Sequence, residues 1–140
     1  MAWILDETSL ECLADPERRQ MVTGTRDPHY SILVAFVMGL YRAGPDSLDG
    51  FKEFITVTIS KKPNLHWANS VLDLALTDDE IWEVLSGAGS DEANERANTA
   101  LVEALEGFGR AREGGSIDHF KDEYQTLARN ALLLPPSEGQ

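Results

Sequence analysis

An unbroken apolar run from Tyr30 to Tyr41 (YSILVAFVMGLY) constrains the fold of this chain more than any other stretch. Ten of its twelve positions are apolar or aromatic, and none is charged. Asp27 and Pro28 precede the run and a Gly-Pro pair follows it, and these are helix start and stop signals. The run is shorter than the roughly 20 apolar residues of a membrane span. Because a helix that is apolar on all sides is a buried one, we predict a buried central helix at about 28–43.

The size and composition of the chain indicate a single globular domain. Its 140 residues, 42% of them hydrophobic, are enough to build one core. The sequence contains no repeat of fixed period, no low-complexity segment and no clear domain boundary. We therefore predict one mostly α-helical domain over residues 1–136, built as a bundle of six or seven helices around the central one. Residues 137–140 should form a loose tail.

Polar residues placed just before helical apolar spacing predict where several helices begin. Thr77 is followed three residues later by Glu80, which is the capping-box pattern. The other predicted caps are short polar side chains of the type that accept hydrogen bonds from the first-turn N–H groups. The predicted N-caps are Asp6 or Thr8, Asp15, Asp27, Thr77, Ser90 and Ser116.

The stretch from residue 48 to residue 60 fits two different structures. Leu48, Phe51 and Ile55 recur at helical spacing, whereas Ile55, Val57 and Ile59 alternate with polar residues as in a strand. We favour a helix. The fallback is an α+β fold in which 51–60 pairs with 32–38 as a small hairpin.

The last two predicted helices carry the clearest periodicity in the chain. Each has apolar residues at alternating three- and four-residue steps, and a Gly-Gly-Ser turn connects them. This pattern predicts a C-terminal antiparallel helical hairpin in which the two apolar seams pack together. The seams are Ala97, Leu101, Ala104, Phe108 and Ala111, followed by Ile117, Phe120, Tyr124, Leu127, Ala131 and Leu134.

No sequence motif indicates catalysis, a cofactor or a metal. The three histidines, His29, His66 and His119, are far apart in sequence, and no phosphate loop or nucleophile elbow is present. Cys12 is the single cysteine, so it can form no internal disulfide, and this fits a reducing compartment. The N-terminus does not resemble a signal peptide, so we expect a cytoplasmic protein with no catalytic, cofactor-binding or metal-binding residues.

The distribution of charge is the most informative functional feature of the sequence. The chain has 24 acidic and 12 basic residues, for a net charge of -12. Such a charge argues against direct binding to nucleic acid or to an anionic membrane, and it favours a basic partner. Residues 64–107 hold ten acids and one base, Arg96, and so account for -9 of the total.

The acids of this region are predicted to form a continuous exposed band. At about 100° per residue, the four glutamates of the helix after Ser90 fall within about 80° of one another, opposite its apolar seam. Acids of the preceding helix extend the band, and Trp82 and Trp67 lie beside it. The candidate partner-binding residues are Asp78, Asp79, Glu80, Trp82, Glu83, Glu92, Glu95, Glu103, Glu106 and Trp67.

Three interpretations of the band stay open: a solvated outer face, a docking surface for a basic protein, and a mimic of nucleic acid. Our first hypothesis is a small non-catalytic protein that binds a basic protein and thereby inhibits or chaperones it. Nucleic-acid-binding proteins are one class of such partners. Immunity proteins, anti-CRISPR inhibitors and other phage or plasmid accessory proteins share this size and charge, which is a likeness of class only. The alternatives are a helical enzyme or ligand-binding domain with a pocket beside the central helix, and a self-associating structural subunit. Sequence alone leaves the oligomeric state open.

Overall fold

A computed structural model of the chain describes residues 15–23, 28–43, 48–63 and 65–131. Within these ranges the protein consists of helices joined by short turns, with no β-strand, which confirms the predicted all-α bundle. The predicted caps at Asp6 or Thr8 and at Asp27, the lone Cys12 and the tail at 137–140 lie outside the described residues. The α-helices are α1 (Pro16–Thr23), α2 (Tyr30–Ala43), α3 (Phe51–Ile55), α4 (Trp67–Leu72), α5 (Asp78–Leu85), α6 (Asp91–Glu113) and α7 (Ile117–Asn130), and a π-helix (Thr56–Ser60) continues α3.

The ambiguous stretch at 51–60 is helical throughout, so the fallback hairpin with 32–38 is wrong. Phe51 and Ile55 are buried, and this inward face outweighs the local alternation of residues 55–60. The Thr58 hydroxyl donates to the Phe54 carbonyl one turn earlier at 2.7 Å, which satisfies a polar side chain within the helix. The π-helix ends at Ser60. The next residue, Lys61, donates its N–H to the Thr56 carbonyl at 2.7 Å and has a φ of 56°.

The prediction that α2 is buried on all sides is wrong. One stripe, formed by Tyr30, Leu33 and Val37, faces the core and is fully buried, whereas Ile32 and Met38 are exposed. The run is apolar around its whole circumference, so its pattern could not indicate which side packs. Among the α2 side chains that the structure describes, the fully buried ones lie on this one stripe.

The central helix of the bundle is α6. Ten of its residues are buried, and it contacts α2, α3, α4 and α5. Four of the ten are alanines, whose small side chains allow the other helices to approach closely. The sequence favoured α2 for this position because α2 has the higher apolar content. A helix must, however, be long to contact several neighbours along its length. The longest helix described is α6, with 23 residues, and it therefore takes the central position.

Two buried asparagines on α6 fix the start of α2. The Tyr30 N–H donates to Asn94 Oδ1 at 2.9 Å, and Asn98 Nδ2 donates to the Pro28 carbonyl at 2.8 Å. The Tyr30 hydroxyl donates to the Ala68 carbonyl at 2.6 Å. Burial raises the pKa of the Tyr30 hydroxyl well above its usual value, so it stays a neutral donor.

Of the four predicted N-caps that lie within the described residues, three are confirmed. Asp15, Thr77 and Ser90 each accept a hydrogen bond from a backbone N–H in the first turn of the following helix. Thr77 and Glu80 form the full capping box. Ser116 is the N-cap residue of α7 as predicted, but its side chain makes no capping hydrogen bond.

The last helix packs against a different neighbour from the one predicted. The chain turns at Gly114 and Gly115 as expected, but α7 packs chiefly on the 51–60 helix and not along α6. Phe120 meets Phe54 edge to face, with ring centroids 5.1 Å apart. Because the α6 seam is buried by other helices, the α7 seam covers Phe54 instead.

Candidate interaction surface

Helix α5 presents one large aromatic side chain to solvent. Trp82 is 75% exposed and Leu85, one turn later, is 46% exposed, while Val84 between them is buried. At about 100° per residue, Asp78, Asp79 and Leu85 all lie within about 60° of Trp82 around the helix. We call these four residues the Trp82 face. It combines an exposed apolar pair with two exposed carboxylates.

The sequence did not indicate that Leu85 belongs to this face. Ile81, Val84 and Leu85 resemble one inward stripe, but the structure turns Val84 into the core and leaves Leu85 outside. The one available signal was the three-residue spacing from Trp82 to Leu85, which places two apolar side chains on the same side of a helix.

Most of the predicted acidic band is exposed, as the periodicity of α6 indicates. Within the described ranges, six of its acids are exposed and make no ion pair or side-chain hydrogen bond. These are Asp78, Asp79, Glu83, Glu92, Glu103 and Glu106. The other two acids, Glu80 and Glu95, have partners within the chain.

Glu80 pairs with Arg96, the one basic residue between positions 64 and 107. Both Arg96 Nη atoms bond the Glu80 carboxylate, and Nη1 also donates to the Ala75 carbonyl at 3.1 Å. The hydrogen bonds from Arg96, and then that from the Thr77 N–H, lower the pKa of the Glu80 carboxyl from 4.5 to about 2. Glu80 therefore caps α5 and attaches it to α6 at the same time.

Glu95 pairs with Arg19 on α1. Arg19 Nη1 lies 3.0 Å from Glu95 Oε2, and Nη2 lies 3.5 Å from Oε1, so the contact is bidentate. The Arg19 side chain is 1% exposed and that of Glu95 is 44% exposed. A guanidinium that is buried needs a carboxylate partner, so Glu95 has a structural role that its position in the acidic stripe did not reveal.

The two candidate tryptophans lie in different environments. Trp67 is half-buried and packs edge-on against Phe51, with ring centroids 5.3 Å apart. It lines a cavity of about 780 Å³ beside the end of α2, together with His66 and Met38. Trp67 therefore belongs to the core and to this cavity, and Trp82 is the exposed anchor of the acidic surface.

The histidines do not come together in the structure. His66 caps α4 by accepting the Ala68 N–H at Nδ1, and His119 pairs with Glu123 at 2.8 Å on the outer side of α7. His29 Nδ1 lies 2.9 Å from the Ser31 hydroxyl. Across the described ranges, no group of three or more His, Cys, Asp or Glu side chains is arranged to hold a metal ion.

Comparisons with known proteins assign no role to this surface. No helix in the described part of the chain has both the length and the apolar character to cross a membrane. No protein-family model matches the chain, and no curated protein or solved structure shows significant similarity to it. The function therefore has to be inferred from the chemistry of the surface itself.

Proposed function

We propose that this protein is a non-catalytic interaction protein that binds a basic protein partner through the Trp82 face and the outer side of α6. The observation that carries the proposal is the 75% exposure of Trp82, next to an exposed Leu85 and between exposed carboxylates. An exposed apolar pair with a polar rim is typical of interface hot spots, in which tryptophan is enriched.

The charge of this surface favours a basic partner over a neutral one. Glu92, Glu103 and Glu106 add three exposed carboxylates on the outer side of α6. Like-signed carboxylates raise the association rate with an oppositely charged protein and select against acidic partners. The expected consequence of binding is inhibition or chaperoning, because the acidic surface would cover the partner's basic region. Nucleic-acid-binding proteins are one class with such a region.

The number of available carboxylates argues for docking over close mimicry of a nucleic acid. From Asp91 to Glu106 the helix rises about 22 Å, over which duplex DNA presents about 13 phosphates. This segment has five carboxylates, and Glu95 is occupied by Arg19. The segment is thus far less charged than a duplex of the same length.

The test is affinity capture from a lysate of the source organism at low and moderate salt, followed by binding measurements with the purified captured protein. Trp82→Ala should reduce affinity about thirtyfold, as for a typical hot-spot residue. The double reversal Glu103→Lys/Glu106→Lys should slow association and reduce its salt dependence.

Matched control variants show whether a loss of binding comes from this surface or from any equal change of charge or apolar area on the protein. Ile32→Ala removes an exposed apolar side chain on α2, and Glu113→Lys/Asp122→Lys makes the same charge change elsewhere. Both controls should bind as the wild type does. Equal losses in the test and control variants, or no loss in either, would show that this surface is not the binding site.

A further inference from the structure

The cavity beside α2 lies between three segments of the chain. Met38 and Arg42 come from the end of α2, and Trp67 comes from α4. Leu48 lies just before the 51–60 helix and Phe51 is its first residue. Its volume of about 780 Å³ falls within the roughly 300–1,000 Å³ typical of small-molecule sites. The cavity is therefore large enough for an organic ligand of one or two rings.

The floor of the cavity is apolar and well packed. Leu48 and Phe51 are buried, and Trp67 holds its ring edge-on to that of Phe51. Met38, whose side chain is 47% exposed, forms part of the wall. A flat apolar ligand would cover Met38 and Trp67 without displacing a buried side chain.

Most charged groups that line the cavity are already engaged. Asp49 accepts a hydrogen bond from Lys121 at 2.7 Å, and the Lys52 ammonium lies 4.8 Å from the centre of the Tyr124 ring. Asp49, and then Glu53 by its charge, contribute to raising the pKa of the Lys121 ammonium, so both acids act on Lys121.

Arg42 is the exception among these charges. Within the described part of the chain, its guanidinium makes no ion pair or hydrogen bond. In the part of the chain that the structure describes, the Arg42 guanidinium at this cavity is therefore available to a ligand. A guanidinium presents a planar pair of donors that matches a carboxylate.

His66 offers a second donor at the cavity. Its Nδ1 accepts the Ala68 N–H at 3.1 Å, which requires the proton of a neutral ring to be on Nε2. In the described residues, Nε2 has no hydrogen-bond partner. Arg42 and His66 thus supply donors beside an apolar floor.

From this arrangement we propose that the cavity binds a small aromatic carboxylate. The carboxylate would pair with Arg42 and accept from His66, and the ring would lie against Trp67, Met38 and Leu48. A single negative charge fits better than the dianion of a phosphate ester, because Asp49 and Glu53 also line the cavity and would repel the second charge. This site is separate from the Trp82 face, and either proposal stands if the other fails.

The test is a titration of the full chain with 2-naphthoate and with its neutral analogue 2-naphthamide, followed by two-dimensional amide and indole NMR. 2-Naphthoate should shift the indole N–H signal of Trp67 and bind at least tenfold more tightly than 2-naphthamide, since a hydrogen bond to a charged group is worth about a factor of ten or more. Arg42→Gln should abolish that preference. Arg110→Gln, on an exposed residue that does not line the cavity, should preserve it.

Two outcomes would overturn the proposal. One is a set of shifts confined to Trp82, which would mean that the probe adheres to the exposed tryptophan. The other is equal binding of the acid and the amide, with or without Arg42. Because Arg42 and Met38 are exposed, Arg42→Gln and a second variant, Met38→Trp, should both remain folded. Met38→Trp should reduce naphthoate binding by narrowing the cavity.

Discussion

Arg96 on α6 and Glu80 on α5 form the ion pair that joins the two acidic helices. Arg96 is the one base among the ten acids of residues 64–107, and it bonds both the Glu80 carboxylate and the Ala75 carbonyl. Together with the buried Val84, the pair attaches α5, which carries Trp82, to the rest of the bundle. Arg96 therefore connects two helices whose other charged residues between positions 64 and 107 are all acidic.

This ion pair predicts a specific pH dependence of stability. The pKa of Glu80 is about 2 in the folded protein against 4.5 ordinarily, so the unfolded state binds more protons between these values. The contribution of the ionised Glu80 carboxylate to the free energy of unfolding is therefore fully present above about pH 4.5, and it is lost as the pH falls towards 2. Thermal melts should show that Glu80→Gln lowers Tm at pH 7 and makes Tm less sensitive to pH between about 4.5 and 2.

An exposed carboxyl without a hydrogen bond provides the control for that experiment. Asp122→Asn, on the exposed side of α7, should leave both Tm and its pH dependence close to those of the wild type. A Glu80→Gln protein that loses stability with acid as steeply as the wild type would contradict the role assigned to the pair.

Two neighbouring positions on α5 should separate stability from binding. Val84→Ala removes two buried methyl groups and should lower the free energy of unfolding by about 2 kcal/mol. Trp82→Ala removes a mostly exposed ring and should change it by less than about 0.5 kcal/mol. Urea denaturation measures both values. A large loss of stability in Trp82→Ala would mean that the ring packs against the protein and is unavailable to a partner.

Replacing each of two glycines by alanine should change the free energy of unfolding in opposite directions. Gly50 has a φ of 91°, and a Cβ there would collide with Ile117 Cγ2, so Gly50→Ala should cost at least about 1–2 kcal/mol. Gly39 lies in the middle of α2 with open space around its missing Cβ, so Gly39→Ala should stabilise by about 0.5–1 kcal/mol. Chemical denaturation of the two variants side by side checks both. Stabilisation by Gly50→Ala would contradict the packing of α7 on this turn.

The buried Arg19 guanidinium makes Glu95 a structural residue. Glu95→Gln keeps the shape of the side chain but removes its charge, and it should lower the free energy of unfolding by about 2 kcal/mol. Glu92→Gln, on an exposed carboxylate of the same helix, should change it by less than about 0.5 kcal/mol. Equilibrium urea unfolding compares the two variants, and equal effects would show that the Arg19 contact contributes little. Glu95 is for the same reason a poor choice for reversing the charge of the docking surface.

Local sequence signals predicted the helices and most of their starts. Thr77 with Glu80, and Ser90, bond backbone N–H groups within one turn of their own helices, so the sequence next to each helix start is enough to predict them. The concentration of acids in 64–107 also follows directly from the sequence. The exposure of Glu92, Glu103 and Glu106 follows from one further fact, which is that the opposite side of α6 is apolar.

The tertiary structure decided everything that depends on which helix meets which. Apolar content alone could not place α6 at the centre instead of α2, or direct α7 onto Phe54. It also could not show that Glu80 and Glu95 have arginine partners, 16 and 76 residues away in sequence. Sequence periodicity determines the faces of a helix, but the partner of each face is determined by packing between segments that are distant in the chain.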